Sequence, residues 1–397
     1  MREVDGSDVV FGRVVREFLE ASHQVPPHRL STLIVATARE LGARDARVWL
    51  ADHQQRLLVH LTEGAPLEPL PIAGSVAGRA FIASEIVHID SDHGVHVWFP
   101  LLDGVDRIGV LELEVDDLSA DRRRDLQGFT STATAEIVTR GQYSDGFTSV
   151  RRLREMSLSA ELQWQLLPPN SFSTEDLAVS GMIEPAYEIG GDTYDYAHSQ
   201  DQLQFAIFDA VGHDLRAGLV ATLSVTAYRH ARRGGLDLTG SAAAIDAAIH
   251  SQFSRDFTTG QFGELDTSTG ELRWLNAGHP LPLIIRQGHV SSLQCTPRLP
   301  FGVVHLGRPL DAEIAHEQLE PGDSVLLYTD GVIEAKRSGH EDFGIERLKE
   351  FLHTADAAGL APAETLRRLS NAVVDFNDGV LQDDATTLLV QWRPTPR

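Results

Sequence analysis

The sequence predicts an α+β protein with two folded regions joined by a helical segment. Short apolar runs typical of strands fill much of the chain up to about residue 115 and again beyond about residue 171. Around them, apolar residues recur at spacings of three and four, as in amphipathic helices. The 397 residues provide two or three domains with buried cores. We therefore expect domains at 1–145 and 171–395 and a linker at 146–170.

The first region, residues 1–145, begins and ends with helical patterns. Val10, Val14 and Phe18 share one helical face, and the run "LSTLIVATARELG" follows. The apolar positions from Leu126 onward predict a closing helix. The strand-like runs between them are "ARVWLAD", "RLLVHLTE", "EIVHID", "VHVWFPLL" and "RIGVLELEV". Helices that flank several antiparallel strands are typical of an α+β domain.

The second region, residues 146–170, predicts a single coiled-coil-like helix over 147–167 that Pro168 and Pro169 end. It has two adjoining apolar stripes, one of six residues and one of three. The stripes are Val150, Leu153, Met156, Ala160, Trp164 and Leu167, and Leu158, Leu162 and Leu166. So wide an apolar face needs a partner. We expect one stripe to pack on its own chain and the other to form a homodimer, the alternative being a helix buried within one chain.

The third region, residues 171–395, is rich in strands, with helices expected near 215–233, 241–255, 345–353 and 362–376. Four of its segments place acidic residues at strand ends. They carry Asp192 and Asp195 in "EIGGDTYDY", Asp209 in "QLQFAIFD", Asp330 in "SVLLYTDG", and Asp383 and Asp384 before "ATTLLVQW". A single aspartate there is usually a turn residue. Its recurrence in four segments predicts that the acids converge.

Converging carboxylates predict a bound cation, because like charges at close range otherwise drive protonation. The donors are all oxygens, which favours Mg(II) or Mn(II) over zinc. Two such ions about 3.5–4 Å apart would activate a water for in-line displacement at phosphorus. The sequence therefore predicts phosphate-ester chemistry at this site.

Composition excludes several classes of protein. The formal net charge of -23 argues against nucleic acid or an anionic membrane as a partner. The single cysteine, Cys295, excludes an internal disulfide and a cysteine-rich zinc site. The charged beginning "MREVDGSDVVFGR" lacks the apolar run of a signal peptide, and no stretch approaches the length of a membrane span. We expect a cytoplasmic protein.

Six motifs between residues 150 and 395 resemble those of the PPM (protein phosphatase 2C-like) serine/threonine phosphatases. They are "GGDTYD", "FDAVGHD", "NAGHP", "LPFG", "PGDSVLLYTDGVIEA" and "QDDATTLLV". The most similar branch is the bacterial one of stage II sporulation protein E and the sigma-B regulator phosphatases. The resemblance implies an αββα sandwich with two metal ions at one end of its sheets.

The resemblance also implies roles for individual residues. Asp209 corresponds to the acid that bridges both ions, with the Ala210 carbonyl oxygen as a neighbouring ligand. Asp192 corresponds to the acid near the second ion. Asp330 and Asp383 correspond to the two acids that hold the first ion. Of the adjacent acids Asp383 and Asp384, Asp384 is the less favoured ligand.

The run "DAVGHD" departs from the branch's usual Asp-Val-Ser-Gly-His-Gly. Val211 replaces a small polar residue, and Asp214 replaces a glycine. The extra acid would repel a phosphate dianion. The roles of His213, Asn276, His279 and Arg216 stay open, since a histidine or asparagine in a turn serves the backbone equally well.

The first region resembles a GAF sensor domain, through its helix, sheet and helix order and the run "GSVAGRAF…VWFPLLDGVDRIGVLELE". A PAS-like domain and a domain that only dimerises are the alternatives. No cysteine precedes Cys295, so a thioether-linked bilin is excluded. His88, His93 and His96 are either haem ligands or ordinary surface or core residues. The domain's small ligand, if it has one, is unknown.

The resemblance implies a regulated phosphoserine/phosphothreonine protein phosphatase. Its substrate would be a phosphorylated anti-anti-sigma factor, and dephosphorylation would free a sigma factor. Two alternatives stand beside this: an inactive scaffold that binds such a partner, and a phosphatase of small phosphoesters.

Overall fold

A computed structural model describes the chain except residues 1–5, 189, 213, 254, 304–312, 338–340, 378, 380 and 395–397. The chain divides into two compact units, Met1–Glu155 and Met156–Arg397. Within the described residues, no helix combines the length and apolar character needed to cross a membrane. The boundary between the units lies inside the segment expected to be a linker.

The N-terminal unit contains a six-stranded antiparallel sheet in the order β3-β2-β1-β6-β5-β4. Its strands are β1 Ala43–Ala51, β2 Leu57–Leu61, β3 Leu70–Pro71, β4 Val87–Ser91, β5 Gly94–Asp103 and β6 Asp106–Val115. Its helices are α1 Gly6–Ser22, α2 Leu30–Glu40, α3 Val76–Ala83, α4 Ala120–Gly141 and α5 Asp145–Arg151, with a 3-10 turn at Pro27–Arg29.

The sheet of this unit has apolar clusters on both faces. Helices α1, α2 and α4 cover one face, where Phe18 and Phe129 meet edge to face with ring centroids 5.3 Å apart. The shorter α3 packs against Trp49 and Trp98 in a second cluster. The expected order of helix, sheet and helix is therefore present. His96 contacts the Glu112 carboxylate at 2.7 Å, whereas His88 and His93 are exposed.

The single helix expected over 147–167 is wrong, because the structure has α5 and then a separate helix α6 at Leu158–Leu166. Arg152 is extended and ends α5, and the Ser157 side chain accepts the Ala160 N–H to start α6. The Trp164 indole donates to the Ala186 carbonyl at 2.7 Å, so this part of the stripe packs within the C-terminal unit. The two apolar stripes therefore do not lie on one continuous helix.

The C-terminal unit contains two antiparallel sheets, in the orders β15-β12-β11-β10-β9 and β14-β13-β16-β19-β8-β7. The strands of the first are β9 Asp192–Ser199, β10 Gln202–Ala210, β11 Thr258–Asp266, β12 Glu271–Ala277 and β15 Ala315–Gln318. Those of the second are β7 Ser171–Ser173, β8 Leu177–Glu184, β13 Leu283–Arg286, β14 His289–Ser292, β16 Ser324–Tyr328 and β19 Ala385–Trp392. A small hairpin joins β17 Lys336–Arg337 to β18 Glu341–Asp342.

Helices cover the outer faces of both sheets. They are α7 Leu215–Arg233 and α8 Leu238–Gln252 on the first sheet, and α10 Gly344–Ala357 and α11 Pro362–Phe376 on the second, with a short α9 Asp330–Ile333 after β16. A third apolar cluster, which includes Phe205, Trp274 and Leu388, fills the space between the sheets. This arrangement is the αββα sandwich expected for the third region.

Candidate metal centre

Two of the predicted acids lie opposite each other on adjacent strands of the first sheet. Asp209 is next to last in β10, Asp192 is first in β9, and the two residues form a cross-strand pair. Opposite residues in an antiparallel pair project from the same face, and like charges there repel. The two carboxylates therefore meet at one edge of the sheet.

The other three acids lie at an edge of the second sheet. Strand β16 ends at Tyr328, and Asp330 follows as the first residue of α9. Tyr328 pairs with Thr387 near the beginning of β19, so Asp383 and Asp384 directly precede the neighbouring strand. An antiparallel pair brings the end of one strand beside the start of the next.

Hydrogen bonds join the two edges. One oxygen of Asp384, Oδ2, accepts N–H bonds from Gly190 at 2.7 Å, Gly191 at 2.9 Å and Asp192 at 3.2 Å. Thr329 Oγ1 donates to Asp192 Oδ2 at 2.8 Å. Asp384 is buried and anchors the loop that contains Gly190 and Gly191, whereas Asp383 is exposed. The sequence did not reveal the role of Thr329, whose only signal was its position before Asp330.

Two glycines allow backbone oxygens to approach this centre. A Cβ at Gly191 would lie 2.2 Å from the Ala210 carbonyl oxygen, and one at Gly331 would lie 2.0 Å from the Asp384 carbonyl oxygen. Neither distance is sterically possible for a side-chain carbon. Because Gly191 lacks a side chain, the Ala210 carbonyl oxygen can lie close to the loop whose N–H groups bind Asp384.

The acids raise one another's pKa. Burial raises the pKa of Asp209 to about 8, and the charges of Asp330, Asp383 and Asp384 add to the effect. Burial and the charges of Asp209 and Asp384 raise the pKa of Asp192 well above its ordinary value. Burial also raises the pKa of Asp384 to about 6, against its backbone hydrogen bonds. The five side chains therefore form one electrostatic neighbourhood.

The carboxylates suit a hard divalent cation. Their oxygens, and the Ala210 carbonyl oxygen that the resemblance adds, are donors such a cation prefers, and its positive charge would relieve the repulsion that raises the pKa values. In the part of the chain that the structure describes, no three acidic, histidine or cysteine side chains surround one point closely enough to hold an ion. The acids therefore fit the cation by chemistry and location and do not form a closed cage.

In metal-free protein, we expect stability to fall as the pH rises from about 4 to about 8. Asp209 and Asp384 have pKa values of about 8 and about 6 in the folded chain, against an ordinary 3.8. The folded state therefore binds more protons than the unfolded state across this window, and the free energy of unfolding decreases with pH. Melting temperatures in EDTA measure this. Asp209→Asn should flatten the profile, and an equally steep profile in that variant would contradict the account.

The remaining candidates lie outside the acid neighbourhood or have structural roles. Asp195 is buried between Arg229 and Arg232, with oxygen–nitrogen distances of 2.7 and 3.0 Å. Asp214 caps α7 by accepting N–H bonds from Arg216 and Ala217. The Arg216 guanidinium donates to both oxygens of Asp256, at 2.8 and 2.7 Å.

The motif "NAGHP" fixes a turn. Asn276 donates to the His279 carbonyl at 2.9 Å and accepts the His279 N–H at 2.8 Å. Burial lowers the pKa of His279 to about 3, which keeps its ring neutral. This geometry supports a structural role for both residues in the turn. His213 lies outside the described residues.

Comparisons with known proteins agree with this geometry. Residues 199–393 match the sequence profile of the family described as Stage II sporulation protein E (SpoIIE). Protein IcfG of Synechocystis sp. is 26% identical over 282 residues, which cover 62% of this chain and 42% of IcfG. Phosphoserine phosphatase RsbP of Bacillus subtilis is 24% identical over 218 residues, which cover 51% of this chain and 53% of RsbP. The chain thus matches about half the length of these relatives.

Among solved structures, the SiaA-PP2C domain of Pseudomonas aeruginosa is similar in fold. Its TM-score is 0.50 at 21% identity, over 59% of this chain and 94% of that domain. The sandwich and its acidic edge define the C-terminal unit as a domain of the PPM phosphatase class. Within that class, residues 199–393 match the SpoIIE family model, and this part of the chain is homologous to RsbP.

Proposed function

We propose that the chain is a metal-dependent protein phosphatase that hydrolyses phosphoserine and phosphothreonine. The observation that carries this proposal is the meeting of carboxylates from four chain segments at the adjoining edges of two sheets. The match of residues 199–393 to the SpoIIE family model, and homology to a relative named as a phosphoserine phosphatase, support the same activity.

The ligands that we propose for two Mn(II) or Mg(II) ions are Asp192, Asp209, Asp330, Asp383 and the Ala210 carbonyl oxygen. When bound, such ions supply Lewis-acid activation of water and stabilise negative charge on the phosphate. We propose Asp209 as the bridging acid, because it lies opposite Asp192 on its own sheet and the charges of Asp330, Asp383 and Asp384 act on it from the other sheet.

The other residues of the centre position these ligands. Thr329 orients the Asp192 carboxylate through its hydroxyl, and Asp384 holds the loop that leads into β9. A nucleophilic side chain is not required when water attacks directly. Cys295, the single cysteine, packs against the apolar cluster between the sheets and has a raised pKa because of burial. It is therefore poorly suited to act as a thiolate nucleophile.

The proposed substrate is a phosphorylated anti-anti-sigma-type protein in the cytoplasm, and the N-terminal unit is a GAF-like sensor that regulates the phosphatase. Two relatives are named phosphoserine phosphatases, and the six motifs resemble the branch whose substrates are anti-anti-sigma factors, which supports this substrate class. The helix–sheet–helix arrangement of residues 6–155 supports the sensor. An inactive scaffold would not require the acid neighbourhood.

Phosphate release from a phosphoserine peptide, with p-nitrophenyl phosphate in parallel, tests the activity. We expect release with Mn(II), a preference for the peptide, and complete loss in EDTA. The far-ultraviolet circular dichroism should persist in EDTA, because the proposed ligands lie at sheet edges around a large core. Release that continues in EDTA would contradict the proposed chemistry, and a preference for p-nitrophenyl phosphate would favour a small-phosphoester phosphatase.

We also propose a homodimer that forms through the segment between α5 and α6. Leu153 lies there and is 39% exposed. Leu153→Glu should convert the dimer to a monomer in light scattering, since a buried charge without a partner is costly. Leu236→Glu, at a leucine that is 45% exposed beyond the end of α7, is the matched control. A Leu153→Glu protein that stays dimeric would place the contact elsewhere.

A further inference from the structure

A groove of about 440 Å³ opens beside the candidate metal centre. Its walls are the start of α6, the segment after β8, the start of α7 and the segment before β19. Asp383 and Asp384 contribute to its lining. The groove is therefore continuous with the acids, and a molecule that reaches the centre from this side passes along it.

The groove has an apolar lining that the fold leaves open to solvent. Leu158 and Leu215 line it and are 63% and 41% exposed, and Pro185 and Leu381 lie beside them. Val211, which follows the centre's Ala210, is 51% exposed. Exposed apolar side chains in a groove offer hydrophobic contacts to a molecule that binds there.

Both leucines are held in place by their helices. Leu158 is the first residue of α6, which Ser157 caps, and Leu215 is the first residue of α7, which Asp214 caps. Asp214 was an unexplained departure from the family pattern. Its cap fixes the position of Leu215 at the edge of the groove.

The side chains that line the groove are acidic. Glu188, Asp214, Asp383 and Asp384 line it, and among the described lining residues there is no lysine, arginine or histidine. Asp214 is engaged in capping, whereas Glu188 is exposed. A complementary ligand is therefore apolar and carries positive charge.

We propose that this groove docks the part of the phosphoprotein substrate next to the phosphorylated serine. That segment presents apolar side chains to Leu158 and Leu215 and a basic side chain to Glu188. The inference rests on the proposed phosphatase function and specifies the substrate's local sequence. The groove is continuous with Asp383, which favours a substrate segment as its occupant. A second copy of the chain bound there would obstruct the centre.

Three synthetic nonapeptides with a central phosphoserine test the proposal on the full chain. One has leucines and a lysine around the phosphoserine, the second has the leucines and a glutamate, and the third has serines and the lysine. We expect kcat/KM for the first to exceed that for each of the others by about tenfold, the discrimination that a small apolar or charged contact provides. Equal values for the three peptides would overturn the proposal.

Variants assign the preference to the groove. Leu158→Gln with Leu215→Gln should remove the discrimination against the serine peptide, and Glu188→Lys should reverse the preference between lysine and glutamate. Leu236→Gln, outside the groove lining, should retain the wild-type ratios. Unchanged ratios in the two groove variants would overturn the proposal.

Fluorescence anisotropy of the same peptides, labelled and measured in EDTA, separates docking from hydrolysis. Without any phosphate release, a binding preference that depends on Leu158 and Leu215 would sustain docking and refute the phosphatase. Hydrolysis with no peptide preference would sustain the phosphatase and refute docking. If the double variant only converts a dimer to a monomer in light scattering, the groove is a contact between copies and docking is refuted.

Discussion

Asp209→Asn is expected to abolish phosphate release at saturating Mn(II). Asp209 lies opposite Asp192, and the charges of Asp330, Asp383 and Asp384 act on it from the other sheet. An amide at this position weakens the attraction for both proposed ions. We expect a loss of at least about a hundredfold, since several kcal/mol of stabilisation correspond to two or more factors of ten in rate.

The same substitution should stabilise the metal-free protein. Burial and three neighbouring carboxylates raise the pKa of Asp209 to about 8, so its charged form is unfavourable at that pH. In EDTA at about pH 8 we expect a melting temperature higher by at least about 2 °C. Glu271→Gln is the control, because it removes an exposed carboxylate at the start of β12 that does not belong to the acid neighbourhood. An Asp209→Asn enzyme with nearly wild-type rate would refute the bridging assignment.

Gly331→Ala should damage both the fold and the activity. The added Cβ would lie 2.0 Å from the Asp384 carbonyl oxygen, a backbone atom of the segment that leads into β19. Overpacking of this kind costs about 1–3 kcal/mol, which lowers the melting temperature of a domain this size by roughly 2–12 °C. Displacement of Asp330 or Asp384 should reduce the rate at least about tenfold, as the centre depends on their positions.

Gly141→Ala is the matched control for this prediction. Gly141 ends α4, and no atom lies within 4 Å of a Cβ added there. Alanine at this helical position should leave the melting temperature unchanged or slightly raised. Wild-type stability and rate in Gly331→Ala would show that the carbonyl does not approach this closely.

Local patterns predicted most of the elements but not how they pair. The apolar runs that became β10, β16 and β19 were visible as strands, and their terminal acids marked the centre. The extent of strand β9 was not predicted, because its sequence, "DTYDYAHS", is largely polar and lacks a clear alternation. Its Asp195 is stabilised by Arg229 and Arg232 of α7, a tertiary contact that no local pattern reports.

In the linker, by contrast, the sequence predicted more continuous helix than the structure has. Apolar spacing continued through residues 147–167, but Ser157 caps a new helix and interrupts the geometry. A serine followed by "LSAEL" was the signal for that cap. Asp384 was underestimated for another reason. Its bonds to Gly190, Gly191 and Asp192 exist only once β19 and β9 are brought together by the packed sheets.

Isothermal titration of Mn(II) into the metal-free full chain is the most direct measurement of the central claim, that acids from both sheet edges form a metal centre. We expect about two ions for each chain in wild type and in Glu271→Gln, with strongly weakened binding at both sites in Asp209→Asn. Binding should release protons near pH 7, because the pKa of Asp209 is about 8 in the metal-free fold. Equal binding by wild type and Asp209→Asn, or no binding by either, would contradict it.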